Sequence, residues 1–498
     1  NKWTLFTPDF HINIIVRQMQ IRIISERSHK MKIGIKKYLA YGIAQAGDTV
    51  PYCMFYTFFI YFLTDNVGLP PAVAGAISLI AVCWDGITDP IVGFLTDHSR
   101  NPKGRRRPWM IKSIFPLAVT VFLMFAPFEF SSTALATVYY VVIAATFWTL
   151  YTTYVIPYMS LGAEITTDYK GRNYIRMFNM VCGGIYMLIC TSGPYVVQAW
   201  GVEHGFSDRG AWGISGAVFG LMSLILSIIG WYFTKGTENP LTEEIIGEEK
   251  KEGIFAVFKE TFAIRPYRKL CLATFFFFIG NIAAGSAMVY LLSYNCGLDA
   301  AQNAAFWIVY AVAYTLLVPI GTGLSNLMGK KRAFIFGQTI TIILCVICFI
   351  VKIDSFFGSC VYITVFQFGA TLFWTNYLAF AYDCAEIDEY KNGKRREGSL
   401  CAIVSFAQKL GSAVGTYTIG IMLTIVGYDA MAEVQTASAL DGILALCTLL
   451  PAAGAFIAIL FMLKYPVGPK EYELIVKAVE DKKAGKDVDE APFAECLK

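Results

Sequence analysis

Two aspartates, Asp85 and Asp89, stand four residues apart within the otherwise apolar run AVCWDGITDP that begins at Ala81. Four residues is about one helical turn, so both carboxylates fall on one face. A carboxylate at the middle of a bilayer costs roughly 2.5 to 3.5 kcal/mol, and two side by side repel, so something positive must visit them. A proton or a small hard cation held by oxygen ligands satisfies the pair. Asp85 and Asp89 are therefore candidate cation ligands, and the only candidate metal ligands, with Thr88 and Trp84 on neighbouring faces. The structural alternative is a pair of carboxylates bonded permanently to adjacent helices.

The stretch continues as GFLTDHSRNPKGRRRPW. Its Gly93, Asp97, Arg100, Gly104, Arg105, Arg106 and Arg107 resemble the loop between the second and third helices of the major facilitator superfamily. Asp97 at a helix end beside Arg100, Arg105 and Arg106 would make a breakable electrostatic latch, a candidate gate. A basic run at a membrane edge also anchors topology.

The elements that position these groups are apolar. The chain has 498 residues, 56% hydrophobic and 16% charged, with a mean hydropathy of +0.53, which excludes an ordinary soluble protein. About 20 apolar residues cross a bilayer, and the sequence predicts twelve such spans. They are 38–64, 71–97, 109–128, 135–163, 174–199, 211–234, 269–294, 300–325, 331–352, 357–386, 399–427 and 441–464. The expected fold class is an all-α membrane protein with twelve transmembrane helices in two pseudo-symmetric bundles of six. Lys and Arg concentrate in the loops after the second, fourth, eighth and tenth spans, Arg209 and Lys352 being exceptions, which predicts that both termini face the cytoplasm.

Residues 1–30 read as a basic leader, disordered or upstream of Met31, and 31–234 as the first bundle. Residues 235–268 read as a cytoplasmic linker, with an amphipathic helix carrying Phe255, Phe258 and Phe262 on one face. The second bundle is 269–465, and 466–498 a cytoplasmic tail, a short polar helix followed by disorder. GTGLSNLMGKKR (321–332) faintly echoes the 93–107 loop, as an internal duplication demands. The net charge of +4 is too small to imply nucleic acid. Thirteen scattered Cys and four His argue against a metalloenzyme, and Cys345 and Cys348, a C-x-x-C pair in a lipid-like run, lack partner ligands.

Fragments along almost the whole chain, from Lys37 to Tyr465, are similar to the glycoside-pentoside-hexuronide:cation symporters, a branch of the major facilitator superfamily that includes the melibiose permease. These are YGIAQAGD, WDGITDP, KGRRRPW, IPYMSLGAEI, LFW, DEYKNGKRREGS and FAQKLGSA, in that order. The resemblance implies that Asp85 and Asp89 bind the cation, with Thr152 completing the site. It also implies that Lys409 lies near the cation and sugar sites; on sequence alone an ammonium in an apolar helix needs a carboxylate partner, for which the acidic pair on the second helix is the natural one, a lysine snorkelling to the interface being the alternative. Arg176 matches a substrate-binding arginine, a cytoplasmic anchor being the alternative. Tyr56, Tyr151 and Trp374 match aromatic positions of the sugar cavity; Tyr151, Tyr154 and Tyr158 also share one helical face, where rings pack equally well against a sugar or another helix. Thr49 and Val155 replace two sugar-binding aspartates of the melibiose permease. Met159 stands for a cavity tryptophan, Asp48 for a lysine and Val82 for an arginine, so melibiose is not the expected substrate.

The expected function is uptake of a sugar or glycoside coupled to inward Na⁺, H⁺ or Li⁺ movement, by a monomeric carrier in the cell (inner) membrane. No cofactor is expected besides the coupling ion, and no enzymatic activity. A carrier of amphipathic lipids such as lysophospholipids, and an intramembrane enzyme or receptor, are the alternatives.

Overall fold

A hydrogen-bonded backbone is the only one a bilayer core tolerates, and the computed structural model has helices joined by short loops and no strand among the residues it describes: 35–97, 99, 101, 104–165, 169–237, 259–393, 397–432, 434–483 and 486–497. Ten helices among these are long and apolar enough to cross a membrane. They are α2 (Pro71–Asp97), α3 (Arg107–Phe125), α4 (Thr133–Ile165), α5 (Tyr169–Glu203), α6 (Asp208–Phe233), α7 (Arg265–Asn295), α8 (Ala300–Met328), α9 (Lys330–Val351), α10 (Phe356–Asn392) and α12 (Ala437–Leu463). Two further rods complete twelve. The first, α1 (35–66), joins Ile35–Ala44 and Ala46–Cys53 to π-helical turns at Met54–Phe59 and Phe62–Asn66. The other, α11 (Glu397–Ile425), carries Gln408 and Lys409 in place of apolar residues.

Four of the even-numbered helices, α6, α8, α10 and α12, each start with a side chain capping the first turn: Ser207, Asp299, Ser355 and Thr436. Such caps satisfy orphan amide donors and stabilise a helix by about 1 kcal/mol each.

Packing repeats from one half to the other. Within the first bundle α1 meets α5 and α6, α2 meets α4, and α3 meets α4 and α6; the second bundle pairs α7 with α11 and α12, α8 with α10, and α9 with α10 and α12. Adding six to each index reproduces the map, the mark of two pseudo-symmetric six-helix bundles. The halves meet where α2 lies on α11 and α5 on α8. Small residues let the backbones approach: a Cβ on Gly420 of α11 would sit 2.2 Å from the Pro71 carbonyl oxygen, so Gly420→Val forces the bundles apart there. Overpacking of this kind costs about 1 to 3 kcal/mol, and thermal unfolding of the purified variant is expected at a lower temperature than the parent, whereas an unchanged midpoint would mean that this approach is slack.

The structure departs from the sequence in three places. The tenth span does not stop at 386: it breaks at Thr375 and Asn376, where the Asn376 side-chain amide donates to Ser325 Oγ and the Leu372 carbonyl, both at 2.8 Å, and resumes to Asn392. The twelfth starts at Ala437 and breaks at Thr448, three residues before Pro451, whose missing N–H cannot continue the ladder. Residues 486–497 of the tail are not the disorder expected after its helix. Beyond α13 (Pro469–Lys483) the chain returns to α14 (Ala494–Leu497), burying Phe493 and Cys496. Lys482 donates to the Tyr390 carbonyl at 2.7 Å, and the Tyr390 hydroxyl to Glu490 at 2.7 Å. Two aromatic rings and these bonds offset the ordering entropy that a polar composition alone cannot. The leader, and Phe255 and Phe258 of the linker helix, lie outside the described residues; Phe262 is partly buried against the second bundle.

Candidate functional site

Helix α2 presents Asp85 and Asp89 toward α4 and α11. Asp85 is fully buried. Thr152 of α4 reaches both, its hydroxyl lying 2.6 Å from Asp85 Oδ1 and 3.0 Å from Asp89 Oδ1. From the other bundle comes Lys409: its ammonium is 2.5 Å from Asp85 Oδ2 and contacts Asp89 Oδ2 as well. The Lys409 and Asp89 side chains each remain 25% exposed, so the cluster is not sealed inside the protein. Two carboxylates and one ammonium carry a formal net charge of minus one, which one further monovalent cation would cancel. Among the described residues no group of three or more His, Cys, Asp and Glu could hold a metal ion. The donors fit a monovalent ion or proton with oxygen ligands better than a transition metal. The Thr88 hydroxyl donates back to the Asp85 backbone carbonyl at 3.1 Å, the usual bond of a helical threonine, and bonds to neither carboxylate.

A second polar group lies on α1, α4 and α5. Asp48 accepts from the Gln45 amide at 2.6 Å and from the Tyr151 hydroxyl. Gln45 also donates to Thr49 at 3.2 Å and accepts from Asn179 of α5 at 2.6 Å, and Asn179 reaches the Tyr158 hydroxyl at 2.7 Å. Gln45, Asp48, Thr49 and Asn179 are all partly exposed. Polar side chains that satisfy one another at membrane depth and still face open space are suited to exchanging those bonds for the hydroxyls of a solute. Lys409 lies within electrostatic reach of Asp48, which links the two groups. The Tyr56 ring stacks obliquely on Tyr52 at 4.5 Å and edge-on to Trp148 at 5.7 Å.

Of the tyrosine face of α4, only Tyr151 joins the polar group with its donor. Tyr154 and Tyr158 pack on α1, donating to the Ala44 and Tyr41 carbonyls at 2.6 and 3.0 Å. Met159, eight residues and so about 12 Å along α4 from Tyr151, is exposed and is not brought to Asp48. Trp374 stands at the α10 break against Phe278 and Tyr377. Arg176 belongs to α5, with its side chain outside the described residues. So do the side chain of Asp97 and all of Arg100. Arg106, buried, donates to Thr96 Oγ1 at 3.1 Å, which ties the loop to the end of α2, and Arg105 is half-buried beside it.

Sequence reasoning did not single out Gln45 and Asn179. Gln45 sits three residues before Asp48 in the same YGIAQAGD motif, a spacing that puts both on one helical face, whereas nothing local marks Asn179. Asn179→Ala is expected to raise the concentration for half-maximal uptake of a transported sugar about tenfold, matching a lost hydrogen bond of roughly 1 kcal/mol or slightly more, with cation dependence unchanged. An unaltered sugar dependence would remove Asn179 from the solute site.

Twelve rods in two repeated bundles, with the charged side chains of α2 and α11 meeting between the bundles, define a membrane transporter. The chain belongs to the MFS/sugar transport protein family, whose model matches residues 40–468. It is 26% identical over 482 residues to the uncharacterized symporter YjmB of Bacillus subtilis strain 168, covering 93% of this chain and 98% of that one. It is also 24% identical over 451 residues to the glucuronide carrier protein homolog of Escherichia coli strain K12, covering 89% and 95%. A crystal structure of a bacterial homolog of the human lysosomal transporter Spinster, inward-facing and unoccupied, superimposes with a TM-score of 0.62 at 12% identity, covering 91% of this chain and 99% of that one. That likeness is one of fold.

Proposed function

We propose that the protein is a secondary active symporter that couples inward movement of one monovalent cation, Na⁺, Li⁺ or a proton, to uptake of a sugar or glycoside in the inner membrane, acting as a monomer with both termini cytoplasmic. The observation that carries this is the position of the Lys409 ammonium, reached from the second bundle, on the Asp85 and Asp89 carboxylates of the first. A cation entering there competes with an ammonium tethered to the other half. When it binds, Lys409 is released toward Asp48, and the solute site changes charge. Cation and sugar then favour each other reciprocally, by an amount commonly about 1 to 3 kcal/mol. The membrane potential drives the cycle with about 2.3 kcal/mol per charge per 100 mV. Two of the relatives bear the names symporter and glucuronide carrier homolog, which supports a sugar-like solute.

The test is uptake of labelled glycosides, pentosides and hexuronides into proteoliposomes under imposed Na⁺, Li⁺ or H⁺ gradients. Accumulation that collapses when the gradient is dissipated supports symport. Uptake indifferent to all three gradients would refute it.

A further inference from the structure

The end of the molecule that carries the α1–α2 and α7–α8 loops is built from a duplicated turn. Residues 62–69, FLTDNVGL, and 291–298, LLSYNCGL, occupy corresponding places at the ends of α1 and α7. Both close as a π-helical turn, Phe62–Asn66 and Leu291–Asn295. Their hydrogen bonds correspond one for one. Val67 N–H donates to the Phe62 carbonyl and Leu69 N–H to that of Leu63; Cys296 N–H donates to Leu291 and Leu298 N–H to Leu292. Both turns leave through a glycine at positive φ, Gly68 at 78° and Gly297 at 58°, where a Cβ would be strained. By this register Asp65 and Tyr294 are equivalent positions of the two halves.

They meet. The Tyr294 hydroxyl donates to Asp65 Oδ1, and Tyr428, three residues past the end of α11, donates to the same oxygen at 2.5 Å. Thr64 donates to Asp65 Oδ2 at 2.5 Å, and its oxygen lies 2.6 Å from the Tyr290 hydroxyl. The rings of Tyr290 and Tyr294 stand edge-on to Tyr428, at 5.5 and 5.4 Å. One carboxylate of the first bundle is thus held by two hydroxyls of the second. Arg209 of α6 donates to the neighbouring Asn66 carbonyl at 2.9 Å through Nε. It fastens the α1 end to its own bundle, while the bonds of Asp65 and Thr64 cross to the other. Such bonds need a specific separation of the halves, and moving α1 from α7 by even a few ångström breaks them together.

We infer that Asp65, with Tyr294 and Tyr428, is a gate: a clasp on the pseudo-symmetry axis that holds this end shut and must open for solute to pass here. The inference rests on the alternating opening implied by the proposed symport.

Hydrogen–deuterium exchange of the full-length protein in nanodiscs tests the clasp without a substrate. In Asp65→Ala, which removes the accepting oxygen, the segments 62–69, 290–298 and 424–430 are expected to exchange at least fivefold faster, while Asp299→Asn, which alters only an exposed helix cap nearby, leaves those three segments at the parental rate. Exchange within a factor of two of the parent in Asp65→Ala overturns the clasp. If exchange rises everywhere, the variant has unfolded, and Tyr428→Phe, which removes one hydroxyl and keeps the ring, decides by the same criterion. The gating role is read separately, by cross-linking the pair Asp65→Cys and Tyr428→Cys with a reducible bis-maleimide analogue. Uptake that stops on cross-linking and returns on reduction supports a gate, and cross-linked protein that transports at the parental rate refutes it. Parental protein lacking cation-driven uptake would count against the symport reading while the exchange result still stands for the clasp.

Discussion

Asp85→Asn is expected to abolish cation-driven accumulation, lowering gradient-dependent uptake by on the order of 100-fold, the upper end of what a 1 to 3 kcal/mol coupling energy supplies. With Asp85 neutral, the remaining pair of Asp89 and Lys409 already cancels in charge, so nothing at the site draws a further cation out of water. Lys409 retains one partner, Asp89, and Thr152 can still donate to it at 3.0 Å, so the fold should survive. Exchange of internal for external sugar, which needs solute movement but no net cation flux, is expected to persist. Gradient-driven uptake at parental rates in this variant would remove the carboxylate pair from the mechanism.

Lys409→Met acts in the opposite direction. It leaves two carboxylates facing each other with Thr152 as their donor, and the formal charge of the cluster falls from minus one to minus two. Breaking a buried ion pair by removing one partner costs about 3 to 5 kcal/mol. Because Lys409 and Asp89 are a quarter exposed, water recovers part of that, leaving a loss of roughly 1 to 3 kcal/mol. In cation-free buffer the variant should therefore melt at a lower temperature than the parent. Adding Na⁺ or Li⁺, or lowering the pH, should restore it, since the competing ammonium is gone. At an effective dielectric of about 20, removing a unit charge some 4 Å away amounts to roughly 4 kcal/mol, so a cation affinity tighter by tenfold or more is expected. Uptake should fail despite the tighter binding, because the tether between cation and solute groups has been cut. A variant that binds cations no more tightly than the parent would show that Lys409 and the ion do not compete.

The tail and the tenth helix show how far polarity alone misleads. Residues 484–497 are rich in charge, which predicts disorder, yet Phe493 and Cys496 are buried and Tyr390 is held from both sides by Lys482 and Glu490. No window of sequence contains both partners of these contacts. The break at Thr375 and Asn376 likewise depends on Ser325, some fifty residues away. Thr88 shows the converse limit: it stands three residues after Asp85 and next to Asp89 in sequence, and only the structure shows its proton donated to the Asp85 carbonyl of its own helix.

The apolar runs by themselves determined that the chain is a bundle of membrane-spanning helices, and the charged residues inside them marked Asp85, Asp89 and Lys409. Both conclusions follow from local cost: burying apolar length is favourable wherever it occurs, and a charge at bilayer depth is conspicuous without knowledge of its neighbours. The acidic pair on the second helix was also the natural partner for Lys409, and the structure joins them. Only the tertiary structure decided the pairing at the helix ends: Asp65 gave no sign of a partner 229 residues away at the matching position of the other half. Pairing between helices depends on how two bundles pack, and that is set by small residues such as Gly420 and by the pseudo-symmetry of the halves, which act across distances no local pattern encodes.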